Sequence, residues 1–265
     1  MKNNKQQKKI AVLIPCLNEE LTIANVIRTI KSSKYELDIF VYDNGSSDTS
    51  VAKARDAGAE VTIDLQRGKA HLIKRMFSDI EADIYIMVDS DGEVDLSRLD
   101  EMLKIFLNQS LSMLVAKRSL LKKNNIRPGH IFGNRLLNFL VRFFYGNAID
   151  DCLSGFRILS RQFVKSFPVN SKNFEIEMDI SIHALELNLA IANFEVDYFD
   201  RVADSKSKVH TIKDGFSILS FLGKNIFKSM PGKSCGFVSI LSLIFSIYFF
   251  IPIYDHILQT GEVVG

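Results

Sequence analysis

The N-terminal part of the chain alternates short apolar runs with stretches that favour helix, and this alternation restricts the fold more than any other feature. The predicted strands lie at residues 10–15, 38–42, 60–64 and 83–88, and the helical stretches between them end near residues 32, 58 and 80. Strands that alternate with helices of about ten to fifteen residues are typical of a mostly parallel sheet. We therefore predict an α/β domain with a Rossmann-like, mostly parallel sheet flanked by helices.

Polar clusters follow three of the predicted strands at the point where each strand ends. They occupy residues 15–20, 43–48 and 89–93. In open sheets of parallel strands, ligands bind beyond the carboxyl ends of the strands. The three clusters are therefore predicted to line one crevice.

The cluster after the fourth run carries two carboxylates, Asp89 and Asp91, with Glu93 two residues further on. Side chains at positions i and i+2 of an extended segment point to the same side. Both aspartates can then bind one hard cation, Mg²⁺ or Mn²⁺, through oxygen ligands. Glu93 either tightens such a site or faces water. The alternative is a solvated turn, because Asp, Ser and Gly all favour turns.

Bulk composition narrows the class of protein. A chain of 265 residues is long enough for one large domain, or for one domain and an appendage. The net charge of +2 gives no signal for a nucleic-acid partner. Three widely separated cysteines indicate reduced thiols and a cytoplasmic catalytic part. Residues 1–9 are predicted to form a disordered basic lead rather than a secretory signal.

The C-terminal part differs in composition from a soluble domain, because residues 236–254 are mostly apolar and contain no charged side chain. At about 1.5 Å of rise per residue, a helix of this length just crosses a hydrocarbon layer of about 30 Å. Lysines precede this segment and acidic residues follow it, so the N-terminal domain is predicted to face the cytoplasm. The predicted organisation is a domain at 10–228 and a membrane anchor at 229–265. A buried core helix or a re-entrant segment is the alternative.

Residues 133–145 mix two arginines with phenylalanines and leucines over a wide arc. Such a helix lies on a bilayer surface or packs into a core. The apolar segment further along the chain favours the bilayer slightly.

The ordered set of motifs resembles glycosyltransferase family 2, whose members have the GT-A fold. The segments that carry the resemblance are Ile14-Pro15…Asn18-Glu19-Glu20, Val41-Tyr42-Asp43-Asn44-Gly45, Arg67-Gly68-Lys69-Ala70 and Val88-Asp89-Ser90-Asp91-Gly92. The segment from Asp151 to Arg157, with Arg161, narrows the resemblance to the polyprenyl-phosphate branch, similar to dolichyl-phosphate mannosyltransferase.

The resemblance implies a nucleotide-sugar donor, linked to UDP or GDP, and transfer with inversion at the sugar carbon. It implies that Asp89 and Asp91 hold the cation. The positions that it assigns to substrate binding are Pro15, Asn18, Glu19, Glu20, Asp43, Lys69, Asp89 and Ser154. The two glutamates are also explained as acids in the first turn of a helix, which the helix dipole favours.

The acceptor side is predicted around the arginines. Guanidinium groups match the geometry of phosphate, so Arg157 and Arg161 are candidate ligands of an acceptor phosphate; a surface salt-bridge network is the alternative. Asp151 is predicted to orient the acceptor or the sugar, and Glu177 is a weaker candidate for contact with the sugar. The resemblance further implies a loop with Arg201, Ser207 and Lys208 that closes over donor or acceptor phosphates.

A phosphate acceptor also explains why no strong catalytic base stands out, since its second pKa is about 6 and it is largely dianionic at neutral pH. The leading hypothesis is a membrane-attached transferase that acts on polyprenyl phosphate at the cytoplasmic face of the inner membrane. A polysaccharide or protein acceptor, and a scaffold without catalysis, are the alternatives. Neither the sugar nor a homo-oligomeric state follows from the sequence.

Overall fold

A computed structural model describes residues 8–119, 128–173, 175–201 and 211–260 of the protein. The strands are β1 (Ile10–Cys16), β2 (Asp38–Asp43), β3 (Glu60–Ile63), β4 (Ile84–Met87), β5 (Met113–Ser119), β6 (Arg157–Ser160) and β7 (Ile191–Asp197). The helices are α1 (Ile23–Lys31), α2 (Ser50–Asp56), α3 (Lys69–Asp79), α4 (Leu99–Asn108), α5 (Pro128–Tyr145), α6 (Arg161–Ser166), α7 (Ile176–Glu186), α8 (Thr211–Ser229) and α9 (Pro231–Thr260).

In the part of the chain that the structure describes, one mixed sheet of seven strands organises the domain, in the order β3-β2-β1-β4-β6-β5-β7. The first four strands pair in parallel, and β5 pairs in parallel with β7. Strand β6 lies antiparallel between β4 and β5. The prediction of a mostly parallel sheet flanked by helices is confirmed, whereas β6 was not predicted.

The antiparallel strand brings a second set of residues to the edge of the sheet where the parallel strands end. Arg157, the first residue of β6, lies opposite Met87, the last residue of β4. The loop that precedes β6 therefore meets the segment that follows β4. The carboxyl end of β5 lies at the same edge, because β5 also runs antiparallel to β6.

The core explains why these sequences form these elements. Residues Ala11, Val12, Leu13 and Ile14 of β1 are fully buried, as expected for a central strand covered on both faces. Helix α1 buries Ile23, Val26, Ile27 and Ile30, which recur at helical spacing on one face.

Two compact units divide the chain, residues 1–219 and residues 220–265. Among the described residues, one helix is long and apolar enough to cross a membrane, Pro231–Gln259, with a mean hydropathy of 2.2. None of its most apolar stretch is buried within the protein. The alternative of a buried core helix is therefore wrong for the predicted segment at 236–254.

Helix α5 is apolar on two sides. Leu137, Val141 and Phe144 are buried against the domain. The other side exposes Phe132 (70%), Leu136 (38%), Phe139 (59%) and Phe143 (54%), spaced at i, i+4, i+7 and i+11. We call these four residues the phenylalanine stripe. The helix thus packs into the core with one side and exposes apolar side chains on the other.

The structure corrects the prediction that Arg157 and Arg161 share a phosphate. Arg157 is completely buried, and its guanidinium donates to the carbonyl oxygens of Ser154 and Cys152, both at 2.8 Å. It also donates to the Ser181 hydroxyl at 2.9 Å. Burial lowers the pKa of this guanidinium. The Arg157 side chain therefore fixes the loop before β6.

Arg161 lies at the opposite end of β6, away from the edge where Asp89 follows β4. Its guanidinium is 2.6 Å from the Glu81 carboxylate, and both side chains are more than half exposed. The alternative of a surface salt bridge describes this residue. The two arginines diverge because they lie at opposite ends of β6, with three strand residues between them.

Because Arg157 is buried and Arg161 is exposed, substitution of the two arginines is expected to change the free energy of unfolding by different amounts. Arg157→Ala is expected to lower the free energy of unfolding by about 3 kcal/mol or more, because buried carbonyl groups lose a charged donor. Arg161→Ala is expected to leave stability nearly unchanged, because its ion pair is exposed to water. Chemical denaturation of the full chain in mild detergent measures both. Equal losses for the two variants would contradict this assignment.

Candidate active site

Carboxylates and basic side chains meet where β1, β2 and β4 end. We call the set formed by Asp89, Asp91, Glu93 and Glu177 the acidic crevice. The first three follow β4, whereas Glu177 lies in the first turn of α7. The structure thus brings together residues that are far apart in sequence and were predicted separately.

Lys69 joins two sides of the acidic crevice. Its ammonium nitrogen is 2.6 Å from Oδ1 of Asp89 and 2.5 Å from Oε1 of Glu177. Burial opposes the positive charge, but these two carboxylates outweigh burial and raise the pKa of Lys69. Lys69 is the first residue of α3 and follows Gly68, whose φ of 128° is accessible to glycine but strained for other residues. The bridge therefore connects α3, α7 and the segment after β4.

Arg201 closes the other side of the acidic crevice. Its guanidinium is 2.7 Å from the Asp91 carboxylate and 2.6 Å from the Glu93 carboxylate. Burial, together with the charges of Asp89 and Glu93, raises the pKa of Asp91 to about 6, although Arg201 acts in the opposite direction. The predicted loop partners Ser207 and Lys208 lie outside the described residues.

The carboxylates after β4 match the requirements of a divalent-ion site only in part. Asp89 and Asp91 supply the oxygen atoms that Mg²⁺ and Mn²⁺ prefer, and their neighbouring positions after β4 suit one ion. Among the residues that the structure describes, however, no group of three potential ligands is arranged around a common point. The predicted triple set with Glu93 is therefore not assembled, since the Glu93 carboxylate pairs with Arg201. Two carboxylates still suffice for Mg²⁺ when substrate phosphates complete the coordination.

The predicted nucleotide-binding residues at the end of β1 connect its loop to neighbouring loops. The Asn18 side-chain oxygen accepts from the Ser47 backbone N–H at 2.7 Å. The carboxylate of Glu20 accepts from the hydroxyl of Thr49. Pro15 accepts from the Ser90 hydroxyl at 2.9 Å through its carbonyl oxygen, which ties β1 to the aspartate turn.

Glu19 and Asp43 are both buried. The backbone N–H of Glu19 donates to the Ser50 hydroxyl at 2.7 Å. The Asp43 carboxylate accepts from the backbone N–H groups of Gly45 and Ser46, at 3.0 and 2.8 Å. In this conformation Asp43 shapes the loop after β2, and its contact with a nucleotide stays a prediction.

Asn44 was not predicted as a site residue, yet it organises the loops around Lys69. Its amide donates to the carbonyl oxygens of Asp64 at 3.0 Å and Gln66 at 2.8 Å. Its side-chain oxygen accepts from the Gly68 backbone N–H at 2.9 Å. The signal available in the sequence was an amide directly after a strand, followed by glycine.

Asp151 is locked in a second ion pair, with Arg118 at the carboxyl end of β5. Two guanidinium nitrogens lie 2.6 and 2.8 Å from its two carboxylate oxygens. Burial opposes ionisation of Asp151, but Arg118 prevails and holds the pKa of Asp151 below its usual value. Asp151 is therefore a poor general base. Arg118 was not predicted as a site residue, although an arginine near the end of an apolar segment was a signal in the sequence.

Ser154 was predicted to bind substrate, but it has no exposed surface. Its hydroxyl donates to the Phe156 carbonyl oxygen at 3.3 Å. The structure thus corrects this prediction, because the side chain points into the protein and serves the loop before β6. Glu177, by contrast, lies in the acidic crevice and pairs with Lys69, and its contact with the sugar stays a prediction.

Comparisons with known proteins agree with this arrangement. The model of the family described as "Glycosyl transferase family 2" matches residues 11–167. Protein RfbJ of Shigella flexneri is 43% identical over 122 residues, which cover 46% of this chain and 95% of that protein. Glycosyltransferase AglJ of Haloferax volcanii is 27% identical over 212 residues, which cover 78% of this chain and 68% of that protein.

Solved structures share the fold. Glucosyl-3-phosphoglycerate synthase from Mycobacterium tuberculosis, in complex with Mn²⁺, UDP-glucose and phosphoglyceric acid, superposes with a TM-score of 0.66 at 21% identity. The superposition covers 84% of this chain and 80% of that one. The GT-A expectation is thereby confirmed at the level of the fold. With the family model covering more than half of the sequence, the chain belongs to glycosyl transferase family 2 and is a glycosyltransferase.

Proposed function

We propose that this glycosyltransferase moves a sugar from a UDP- or GDP-linked donor to polyprenyl phosphate at the cytoplasmic face of the inner membrane. The observation that carries the proposal is α9, whose apolar stretch is unburied and long enough to cross a bilayer. A catalytic domain tethered in this way reaches acceptors at the membrane surface. A lipid-borne phosphate is the acceptor that such a tether serves best.

The donor side rests on the charges of the acidic crevice. Asp89 and Asp91 would hold Mg²⁺ or Mn²⁺, which would neutralise the diphosphate of the donor when bound. Lys69 and Arg201 lie beside these carboxylates and present charged donors that match phosphate oxygens. The glucosyl-3-phosphoglycerate synthase structures with UDP and either Mg²⁺ or Mn²⁺ support this assignment through the shared fold.

The acceptor side requires no general base. A phosphate monoester is largely dianionic at neutral pH, with a second pKa of about 6, so its oxygen attacks the anomeric carbon without losing a proton. The new bond forms as the bond from that carbon to the diphosphate oxygen breaks, with inversion, and the nucleoside diphosphate leaves. Orientation and charge stabilisation then supply the catalysis. An Asp151 carboxylate paired with Arg118 is consistent with this chemistry.

We assign to Arg118 the contact with the acceptor phosphate that was predicted from the sequence for Arg157 and Arg161. Arg118 lies at the end of β5, its side chain is 27% exposed, and Asp151 fixes its orientation. One terminal nitrogen of the guanidinium makes none of these contacts with Asp151. We place the acceptor phosphate beside this nitrogen.

A polysaccharide or protein acceptor is the second candidate. A hydroxyl acceptor needs a base to remove its proton, and the pairing of Asp151 with Arg118 argues against that role for Asp151. A scaffold without catalysis is the third candidate. The arrangement of charges in the acidic crevice gives it no support.

The first experiment identifies the acceptor. The full chain in nanodiscs with Mn²⁺ and radiolabelled UDP- or GDP-sugars is expected to transfer label to a short polyprenyl phosphate, and the product partitions into organic solvent. Asp89→Asn is expected to reduce turnover by at least roughly a hundredfold, because it removes charge from the metal ligand. Label found only in water-soluble product would favour the second candidate. Wild-type protein that binds donor without turnover would favour the scaffold.

Arg201→Ala is expected to change the affinities for metal and nucleotide in opposite directions. In the absence of nucleotide, Mn²⁺ should bind roughly two- to fivefold more tightly, because the variant removes a cation that competes for Asp91. The affinity for UDP or GDP should fall at least roughly tenfold, because a charged donor to the diphosphate is lost. Titration calorimetry measures both quantities.

Arg55→Ala is the matched control, since it removes the same charge from the exposed end of α2. It should leave both affinities at the wild-type value. Weaker binding of metal and nucleotide alike in Arg201→Ala would contradict the competition between Arg201 and the cation.

The phenylalanine stripe of α5 is expected to contact the bilayer. The chain contains no tryptophan, so Phe139→Trp introduces a unique fluorophore. In nanodiscs its emission should shift to shorter wavelength and be quenched by brominated lipid, because an aromatic ring buried at the interface leaves water. Leu187→Trp, at an exposed position after α7, should show neither effect. Equal quenching of both variants would contradict a specific orientation.

A further inference from the structure

Gly155 lies against one of the proposed metal ligands. A Cβ atom built on Gly155 would lie 2.1 Å from Oδ2 of Asp89 and 2.8 Å from its Cγ. The three nearest atoms that it would meet all belong to the Asp89 carboxyl group. A glycine at this position therefore makes room for one side chain, the carboxylate after β4.

The backbone of Gly155 does not itself require glycine. Its φ lies outside the positive range occupied by Gly45, Gly58, Gly68 and others. At Gly68, by contrast, a positive φ coincides with a Cβ position 2.9 Å from a backbone carbonyl oxygen. The constraint at Gly155 is one of space.

The loop that carries Gly155 is anchored from inside the protein. The buried Arg157 guanidinium donates to the carbonyl oxygens of Ser154 and Cys152. The hydroxyl of Ser181 donates to the same Cys152 oxygen at 2.9 Å. The loop is therefore anchored inside the protein, and Gly155 within it lies against the Asp89 carboxyl group.

Asp89 is held between two groups. On one side Oδ1 accepts from the Lys69 ammonium at 2.6 Å, and on the other Oδ2 meets the Cα region of Gly155. A methyl group added at Gly155 would press on the end of a side chain that is 32% exposed. Since the loop is anchored by several hydrogen bonds and the carboxylate ends a partly exposed side chain held by one ion pair, Asp89 would move.

We propose that Gly155 is a positioning residue for Asp89, and that Arg157 acts with it by fixing the loop. This inference deepens the proposed function and rests on it, because Asp89 is there assigned to the divalent ion. Glycine at residue 155 sets where the Asp89 carboxylate lies, and thereby sets the affinity for the ion. Residue 155 itself touches neither substrate nor metal.

The first test measures metal affinity directly. For Gly155→Ala in the full chain in detergent, electron paramagnetic resonance of Mn²⁺ is expected to show affinity lowered by roughly tenfold, the usual effect of losing an outer-shell support. Binding of UDP without metal should stay at the wild-type value. The matched control is Gly133→Ala, in α5, where an added Cβ meets no atom within 4 Å. Mn²⁺ affinity equal to that of the control would overturn the proposal.

A double-mutant cycle tests the contact without any activity. In the wild-type background, Gly155→Ala should lower the midpoint of thermal unfolding, because Asp89 is forced off Lys69. In the Asp89→Ala background, the same substitution should lower the midpoint less or not at all, because the methyl group then has space. The interaction between the two sites appears as this difference.

The cycle also decides the case in which Gly155→Ala alone fails to fold. A folded double variant would support the proposal, and a double variant that is equally destabilised would overturn it, because the methyl group would then clash with something other than Asp89. Failure of the proposed function is distinguishable: wild-type protein would then bind no Mn²⁺, while the thermal cycle would still report the contact between residues 89 and 155.

Discussion

The candidate site depends on the ion pairs that the ammonium group of Lys69 forms with two carboxylates. The ammonium group bonds Asp89 and Glu177, which belong to distant parts of the chain, and its own position is set by the turn at Gly68. Asn44 holds that turn by accepting from the Gly68 backbone N–H. A single half-buried cation thus joins the segment after β4 to the start of α7. Without it, each of the two carboxylates would lose its charged partner in a partly desolvated crevice.

The balance of charge in the acidic crevice explains how such a site accepts an anionic donor. Four carboxylates face two basic side chains, Lys69 and Arg201, so the described groups leave an excess of negative charge. A nucleotide diphosphate adds further negative charge. Burial, followed by repulsion from Asp89 and Glu93, already raises the pKa of Asp91 to about 6. A divalent cation relieves both repulsions at once. Donor and ion are therefore expected to bind cooperatively, each favouring the other.

The sequence predicted the parallel half of the fold because its central strands β1 and β4 are continuous apolar runs that alternate with helical segments. It did not predict β6, a short strand that begins with a charged residue. The burial of Arg157 was not predicted either, because a charged side chain is normally exposed. The three oxygen atoms that accept its hydrogen bonds lie inside the protein and cannot be recognised from the neighbouring sequence. Arg118 was missed because its importance arises from Asp151, a contact between residues far apart in sequence. The acidic strand end, in contrast, was visible because alternation along an extended chain is local.

The buried guanidinium of Arg157 shows how stability and function meet in one loop. Burying a charge is costly, and an apolar side chain of similar volume is often at least as stable in such a place. An apolar side chain, however, cannot form directional hydrogen bonds. Arg157 donates along separate lines to Ser154 and Cys152, so it fixes the loop that ends at Gly155 in one conformation. A rigid loop beside Asp89 restricts the positions that its carboxylate can occupy, and this precision is what the proposed role of Asp89 in binding an ion would require.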